Sequence, residues 1–219
     1  MEKYLKVLQK CSLFSQIDDQ DLLTMLGCLG ARVEFFEKKH TIFGEGNPAK
    51  YIGIMLSGSA QIVRNDYYGN RSILSGIEVS DVFAEAFACA GVPTLPVTII
   101  ANESCEVMLI DSRHIMHTCA NHCDFHQQLI FNLMQDLASK MIMFQQKLEI
   151  TSKRSTREKL LAYLALQAQK ANSDSFDIPF DRQELADYLE VDRSGLSVEI
   201  SKLRREGVIE NHRKHFALL

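Results

Sequence analysis

The sequence predicts an α+β protein in three consecutive parts. Between residues 32 and 110, short β-rich runs alternate with glycine-containing turns, which is typical of a compact antiparallel barrel or roll. An unusually regular helical pattern follows, and shorter helices with a final hairpin come after residue 153. We therefore expect a β-roll domain over residues 1–123, a long helix over 124–152 and a small helical domain over 153–219.

The N-terminal part begins with helices and then turns to strands. Apolar residues recur at helical intervals up to residue 30, and Asp18, Asp19 and Asp21 suit a helix N-terminus. The strand-like runs that follow are VEFF, HTIF, YIGIML, AQIV, RSIL, VTII and CEVMLI. Gly58 and Gly69 mark turns between them. Many short strands separated by turns predict an antiparallel β-roll.

The long helix carries an apolar seam with an average spacing of 3.5 residues, which two-stranded coiled coils bury. Its members are Ile130, Met134, Leu137, Met141, Phe144 and Leu148. An amphipathic helix that packs only on its own domain needs a single stripe, but Leu129, Leu133 and Ile142 supply a second one. We therefore predict that this helix contacts its own domain and forms a homodimer interface.

The C-terminal part predicts a helix-turn-helix. Ser155-Thr156-Arg157-Glu158 is an S-x-x-E capping box that starts a new helix. RQELADYL forms a short helix whose Ala186 allows close contact, and Asp192 is placed to cap the next helix. That helix buries Leu196, Ile200 and Leu203, and VIEN and HFALL follow as a hairpin wing.

The opposite edge of the last helix is polar, as a recognition helix in a DNA major groove requires. The net charge is −4, but from residue 193 onward six Lys and Arg face three Asp and Glu. The alternative is the charged, solvated face of any amphipathic helix. The predicted DNA-binding residues are Arg182, Gln183, Arg193, Ser194, Ser197, Val198, Ser201, Lys202, Arg213 and Lys214.

The segment LADYLEVDRSGLSVEISKLRREGVI resembles the winged helix of the Crp/Fnr family of bacterial transcription regulators. Upstream landmarks of the same resemblance are SLFSQI, IFGEGNPAKYIGIMLSGSAQIVR and DVFAE. It implies a cyclic-nucleotide-binding-like β-roll, a dimerisation helix and a homodimer that binds palindromic double-stranded promoter DNA. The base-reading positions fall on Arg193, Ser194 and Val198. Many relatives have a second arginine where this chain has Val198, so the promoter sequence does not transfer.

The resemblance also locates an effector pocket, which departs from the cyclic-AMP-binding pattern. Glu85 is retained, but the family glycine before it is Ala84, and the phosphate-binding Arg-Ser pair falls on Leu95-Pro96. A buried phosphate without a cation is strongly disfavoured, so we expect no cyclic nucleotide. The pocket candidates are Phe83, Glu85, Phe87, Leu95, Met143 and Phe144. An apolar ligand cavity and a filled core remain alternatives, and no cofactor is predicted.

The densest group of potential metal ligands is HIMHTCANHCDFH. On one helix Cys119, His122, Cys123 and His126 would be neighbours and could hold zinc, iron or haem, or respond to redox state. Ala120-Asn121 would instead separate two helices and scatter these side chains. A metal- or haem-responsive sensor is therefore the alternative to the DNA-binding regulator.

Other function classes are not supported by the sequence. A nucleophile elbow, a P-loop and an HExxH motif are missing, so an enzyme is not expected. Hydrophobic residues make up 46% of the 219, without a membrane span or a secretory signal, and the six cysteines suit a reducing cytoplasm. RNA polymerase is a further expected partner if the protein activates transcription.

Overall fold

A computed structural model describes residues 1–69, 71–116 and 124–219. The helices are α1 (Leu5–Leu8), α2 (Asp19–Cys28), α3 (Glu85–Cys89), α4 (Ser112–Met116), α5 (Asp124–Thr151), α6 (Thr156–Ala171), α7 (Arg182–Leu189) and α8 (Arg193–Arg205). The strands are β1 (Arg32–Phe36), β2 (Thr41–Phe43), β3 (Tyr51–Ser57), β4 (Ala60–Asn65), β5 (Arg71–Ile77), β6 (Val82–Phe83), β7 (Thr98–Ala101), β8 (Cys105–Asp111), β9 (Ser175–Asp177), β10 (Ile209–His212) and β11 (His215–Leu218). This content confirms the predicted α+β class.

The chain divides into two compact units. The first, here called the β-roll unit, comprises Met1–Gly69 and Leu74–Met141. The second, here called the C-terminal unit, comprises Asn70–Ile73 and Ile142–Leu219. Across the described residues we find no helix long and apolar enough to cross a membrane.

Two four-stranded sheets build the roll, with strand orders β1-β8-β3-β6 and β2-β7-β4-β5. Strand β8 pairs antiparallel with β1 and β3, and β7 pairs antiparallel with β2 and β4. Gly53 lets Phe83 lie against β3, because a Cβ at this position would lie 2.2 Å from the Phe83 ring. Phe83 also packs on Phe43 and belongs to the buried core of the roll.

Helix α5 uses one side to pack on the β-roll unit. Leu129 and Leu133 are buried in the core of that unit. Ile142, by contrast, is 57% exposed, so the prediction that it joins them in a second stripe is wrong. At 100° per residue the nine residues from Leu133 to Ile142 turn the helix by about 180°, which puts the two side chains on opposite sides.

In the C-terminal unit, α6, α7 and α8 pack with a small sheet of order β10-β11-β9. Both predicted N-terminal caps form: Ser155 and Glu158 make a capping box at α6, and Asp192 caps α8. The predicted wing is present as the β10–β11 hairpin. Strand β9 covers Ser175–Asp177 and ends before Pro179, because proline cannot donate to a ladder.

Candidate DNA-binding surface

Helix α8 is fixed by its cap and by its apolar edge. The Asp192 carboxylate accepts the Gly195 amide N–H at 2.7 Å and also accepts the Ser194 hydroxyl hydrogen. These bonds, first from Ser194 and then from Gly195, lower the pKa of Asp192. Leu196, Ile200 and Leu203 are fully buried at 3% exposure or less. The cap sets where the helix starts, and the apolar edge sets which face is left to solvent.

Helix α7, which precedes α8, has a capped start and an end whose backbone acceptors are satisfied. Asp181 and Glu184 form a capping box at the start of α7, with bonds of 2.9 and 2.8 Å. Glu190 ends that helix in the left-handed region at φ +54°. The Lys159 ammonium donates to the Leu189 and Glu190 carbonyls at 3.3 Å each, which satisfies backbone acceptors at the helix end.

The solvent face of α8 carries the predicted base-reading residues. Arg193, Ser194 and Ser201 are exposed, Val198 is 54% exposed and Ser197 is half-buried. The Ser197 hydroxyl donates to the Arg193 carbonyl at 3.0 Å, and the Ser201 hydroxyl donates to the Ser197 carbonyl at 2.9 Å. Hydroxyls bound in this way keep oxygen lone pairs free to accept a bond from outside.

Arg182 and Arg193 are the first residues of α7 and α8, and their positive charges repel each other. Arg182, at the start of α7, is half-buried and donates to the Asn211 side-chain oxygen at 3.2 Å. Burial, and then the positive charge of Arg193, lower the pKa of Arg182. Within the described parts of the chain no carboxylate pairs with either guanidinium. Two cations that repel each other and have no carboxylate partner in the described chain favour the binding of an external anion such as a phosphate.

The acidic residues of this region are held elsewhere by ion pairs. Arg157 on α6 contacts Glu199 at 3.4 Å and Glu206 at 2.6 Å, and its guanidinium lowers the pKa of Glu206. Lys202, a predicted DNA-binding residue, lies 3.6 Å from Glu199 and is half-exposed. Gln183, another predicted residue, is exposed and donates to Asp187 at 2.7 Å.

A groove of about 860 Å³ lies between the second half of α8 and the wing. It is lined by Ser175, Ser201, Arg204, Arg205, Gly207, Ile209, Glu210, Asn211, His212, His215, Ala217 and Leu219. Sequence reasoning counted Arg204 and Arg205 in the charge balance but did not assign them to the site. The groove also includes His212 and His215, which lie opposite each other in the β10–β11 hairpin.

The wing tip itself is only partly free. Arg213 is exposed and adopts φ +55° in the two-residue turn. The Lys214 ammonium instead donates to the Pro179 carbonyl, which ties this cation back to the domain. His215 is held by Asp177 at 3.0 Å and by Ser175 at 2.9 Å.

The predicted effector-pocket residues are distributed over both units. In the β-roll unit Phe83, Glu85 and Leu95 are buried, and Phe87 is half-buried. In the C-terminal unit Met143 and Phe144 are 54% and 51% exposed. Of the predicted metal ligands, Cys119, His122 and Cys123 lie outside the described residues.

His126, the fourth metal candidate, is buried, and its Nε2 lies 2.8 Å from the Ile115 carbonyl. The neighbouring His114 bonds in the same way to the Leu29 carbonyl at 2.9 Å. Where the structure describes the chain, no group of three His, Cys, Asp or Glu is placed to hold a metal ion.

Two family models match this chain. Residues 33–122 match the cyclic nucleotide-binding domain, and residues 158–219 match the Crp-like helix-turn-helix domain. The first match covers the roll and the second covers the capped helices and the wing. Their order along the chain is the order predicted for a Crp/Fnr regulator.

The chain is also similar to other proteins over most of their length. The chain is 22% identical over 226 residues to the Global nitrogen regulator of Synechococcus elongatus, covering 92% of this chain and 94% of that protein. Its fold is similar to FixK2 from Bradyrhizobium japonicum, with TM-score 0.66, 18% identity and coverage of 86% and 92% of the two chains. It is also similar to the c-di-GMP-responsive regulator CLP of Xanthomonas campestris, with TM-score 0.73, 15% identity and coverage of 90% and 98%. The chain therefore belongs to the Crp/Fnr family of DNA-binding transcription regulators.

Proposed function

We propose that this regulator binds a two-fold symmetric promoter site as a homodimer and inserts α8 of each protomer into the DNA major groove. The observation that carries the proposal is the pair Arg182 and Arg193, two guanidiniums whose charges repel each other and which have no carboxylate partner in the described chain. Such a pair is unfavourable in the free protein and becomes favourable against a phosphate.

Within this surface the residues have separate roles. Arg193 reads a guanine edge with two parallel hydrogen bonds, and Ser194 and Ser197 contact neighbouring base edges or phosphates. Val198 offers an apolar contact to a thymine methyl group. Arg182 binds the DNA backbone, and its bond to Asn211 fixes the wing against the start of α7.

The dimer forms through the apolar seam of α5. Met134, Met141, Phe144 and Leu148 are each more than half exposed in the single chain. Of the other two seam residues, Ile130 is half-buried and Leu137 packs on the core of the β-roll unit. The exposed apolar side chains at coiled-coil spacing are stabilised by burial against a second copy. Two-fold symmetry of the protein then matches the two half-sites of a palindrome. A Met141→Glu variant should sediment as a monomer at concentrations where the unmodified protein is a dimer.

The β-roll acts as the sensor domain, with an effector other than a cyclic nucleotide. Leu95, which the family resemblance puts at the position of the phosphate-binding arginine, is buried, and Phe83 fills the space left open by Gly53. The protein works in the cytoplasm, where promoter DNA lies, and contacts RNA polymerase if it activates transcription.

The test is binding-site selection on random double-stranded DNA, followed by footprinting on the region upstream of its own gene. A two-fold symmetric site is expected. Arg193→Ala combined with Ser194→Ala should abolish the preference for that site and leave only salt-sensitive binding. Lys170→Ala, an exposed change at the end of α6, is the matched control. Full, sequence-specific binding by the double variant would contradict the proposed reading face.

A further inference from the structure

The turn that enters α3 contains a strained residue. Ala84 precedes the helix at φ +62° and ψ 1°, in the left-handed region that a Cβ disfavours. Ala84 is 4% exposed, so protein atoms surround it. A strained, buried residue persists only where surrounding contacts determine its geometry.

Lys140 of α5 contacts this turn on both sides of Ala84. Its ammonium donates to the Val82 carbonyl at 2.6 Å, two residues before Ala84, and contacts the Glu85 carboxylate at 2.9 Å, one residue after it. It also lies 2.7 Å from the carboxylate of Asp136, one turn earlier on its own helix. One cation therefore joins β6, α3 and α5 within the β-roll unit.

The environment keeps this cation charged and in place. Burial disfavours the ammonium, but the Glu85 and Asp136 carboxylates outweigh that effect and raise the pKa of Lys140. Asp136 in turn accepts the Ser12 hydroxyl at 2.7 Å. The second Glu85 oxygen is buried with no hydrogen-bond partner among the described residues, so the contact with Lys140 is the main compensation for this carboxylate.

Helix α5, which carries Lys140, is itself anchored to the β-roll by hydrogen bonds. The Asn132 amide donates to the Leu13 and Ser15 carbonyls at 3.0 and 2.7 Å, on the side of α5 that packs on the roll. Lys140 lies about two helical turns further along α5 and also contacts the β-roll unit. Its reach to the turn is therefore set by a helix that is itself anchored.

We propose that Lys140 is a built-in clamp that holds the strained Val82–Glu85 turn and joins it to α5 without any small-molecule ligand. In this chain the Lys140 ammonium is the charge partner of the Glu85 carboxylate. The turn is a two-state element: it is held while Lys140 bridges it and relaxes when the bridge is lost. An effector that acts through this turn has to displace the ammonium from Glu85.

Hydrogen–deuterium exchange of the full-length protein tests the clamp without DNA or effector. The reporters are amides of α3, such as the Ala88 N–H bonded to the Ala84 carbonyl. Lys140→Met combined with Glu85→Gln removes the bridge without leaving Glu85 as an unpaired buried charge. It should speed exchange in residues 82–90 by about tenfold or more, because local opening becomes easier. Lys140→Arg keeps a cation, so its exchange rates should stay close to those of the unmodified protein. Lys38→Met, an exposed change in the same unit, should alter nothing.

Adding Ala84→Gly to the double variant separates the clamp from a plain packing effect. Glycine adopts the left-handed region without strain, so the triple variant should return toward the slow exchange of the unmodified protein. Unchanged exchange in the double variant would overturn the proposal. So would a triple variant that exchanges as fast as the double variant, because the strain at Ala84 would then not be what Lys140 holds.

Discussion

The two units of the chain use their charged residues in opposite ways. In the β-roll unit Lys140 is surrounded by compensating carboxylates and a carbonyl, and Glu85 is buried with it. In the C-terminal unit the charges of Arg182 and Arg193 repel each other without a carboxylate partner in the described chain, while Glu199 and Glu206 are paired with Arg157. A compensated cluster stabilises its own fold, whereas an uncompensated one is arranged for a charged partner. The charges of the Lys140 cluster are therefore compensated within the β-roll unit, whereas those of Arg182 and Arg193 are left for an external partner.

The largest effect is expected from removing the cation of the cluster formed by Lys140, Glu85 and Asp136. Lys140→Met should lower the free energy of unfolding by about 3 kcal/mol, because it leaves Glu85 as a buried carboxylate without its cation. Urea denaturation measures this loss, and Lys38→Met should stay within about 0.5 kcal/mol of the unmodified protein. A loss of unfolding free energy below about 1 kcal/mol would mean that water, and not the protein, compensates the charges of this cluster.

The next largest effect concerns Arg182 and Arg193, whose substitutions should weaken DNA binding in different ways. Arg193→Ala should remove about 1 to 3 kcal/mol of discrimination at one base pair of each half-site. Arg182→Ala should weaken binding to all sequences equally and leave the preference intact. Affinities for the selected site and for its single-base variants distinguish the two, with Arg154→Ala as an exposed control. Identical behaviour of Arg182→Ala and Arg193→Ala would contradict this division of roles.

A smaller, uniform effect is expected from the groove beside the wing. Arg204→Gln combined with Arg205→Gln removes two exposed cations that line it. If both contact phosphates, the plot of log affinity against log salt should become shallower by about 1.8, with sequence preference unchanged. Titrations at several salt concentrations measure the slope. An unaltered slope would place the DNA backbone outside the groove.

The smallest effect is expected at the cap of α8. Hydrogen bonds from Ser194 and Gly195 lower the pKa of Asp192, so its contribution to stability is present above the ordinary aspartate pKa and is lost as pH falls through the lower folded value. Asp192→Ala should therefore reduce the melting temperature near neutral pH and have a vanishing effect in acid. A difference between variant and unmodified protein that persists at low pH would argue against the cap as its source.

Local signals in the sequence were sufficient for much of the C-terminal unit. Ser155 and Asp192 were predicted as caps from residue type and spacing, and the structure has both. The helix-turn-helix and the wing follow from the same short-range rules. Ile142 was assigned to the wrong side of α5. The side-chain direction rotates by about 100° with each residue, so small errors in spacing add up along a long helix and change the face on which a residue lies.

The sequence by itself determined the order of the parts, the ends of the capped helices and the family, because these depend on residue type and spacing over a few positions. The tertiary structure alone decided which charges are compensated. Lys140 lies 55 residues from Glu85, and Arg182 lies 29 residues from Asn211. Contacts over such separations depend on how the elements pack, since the energy of a charge is set by what surrounds it in space and not by its neighbours along the chain.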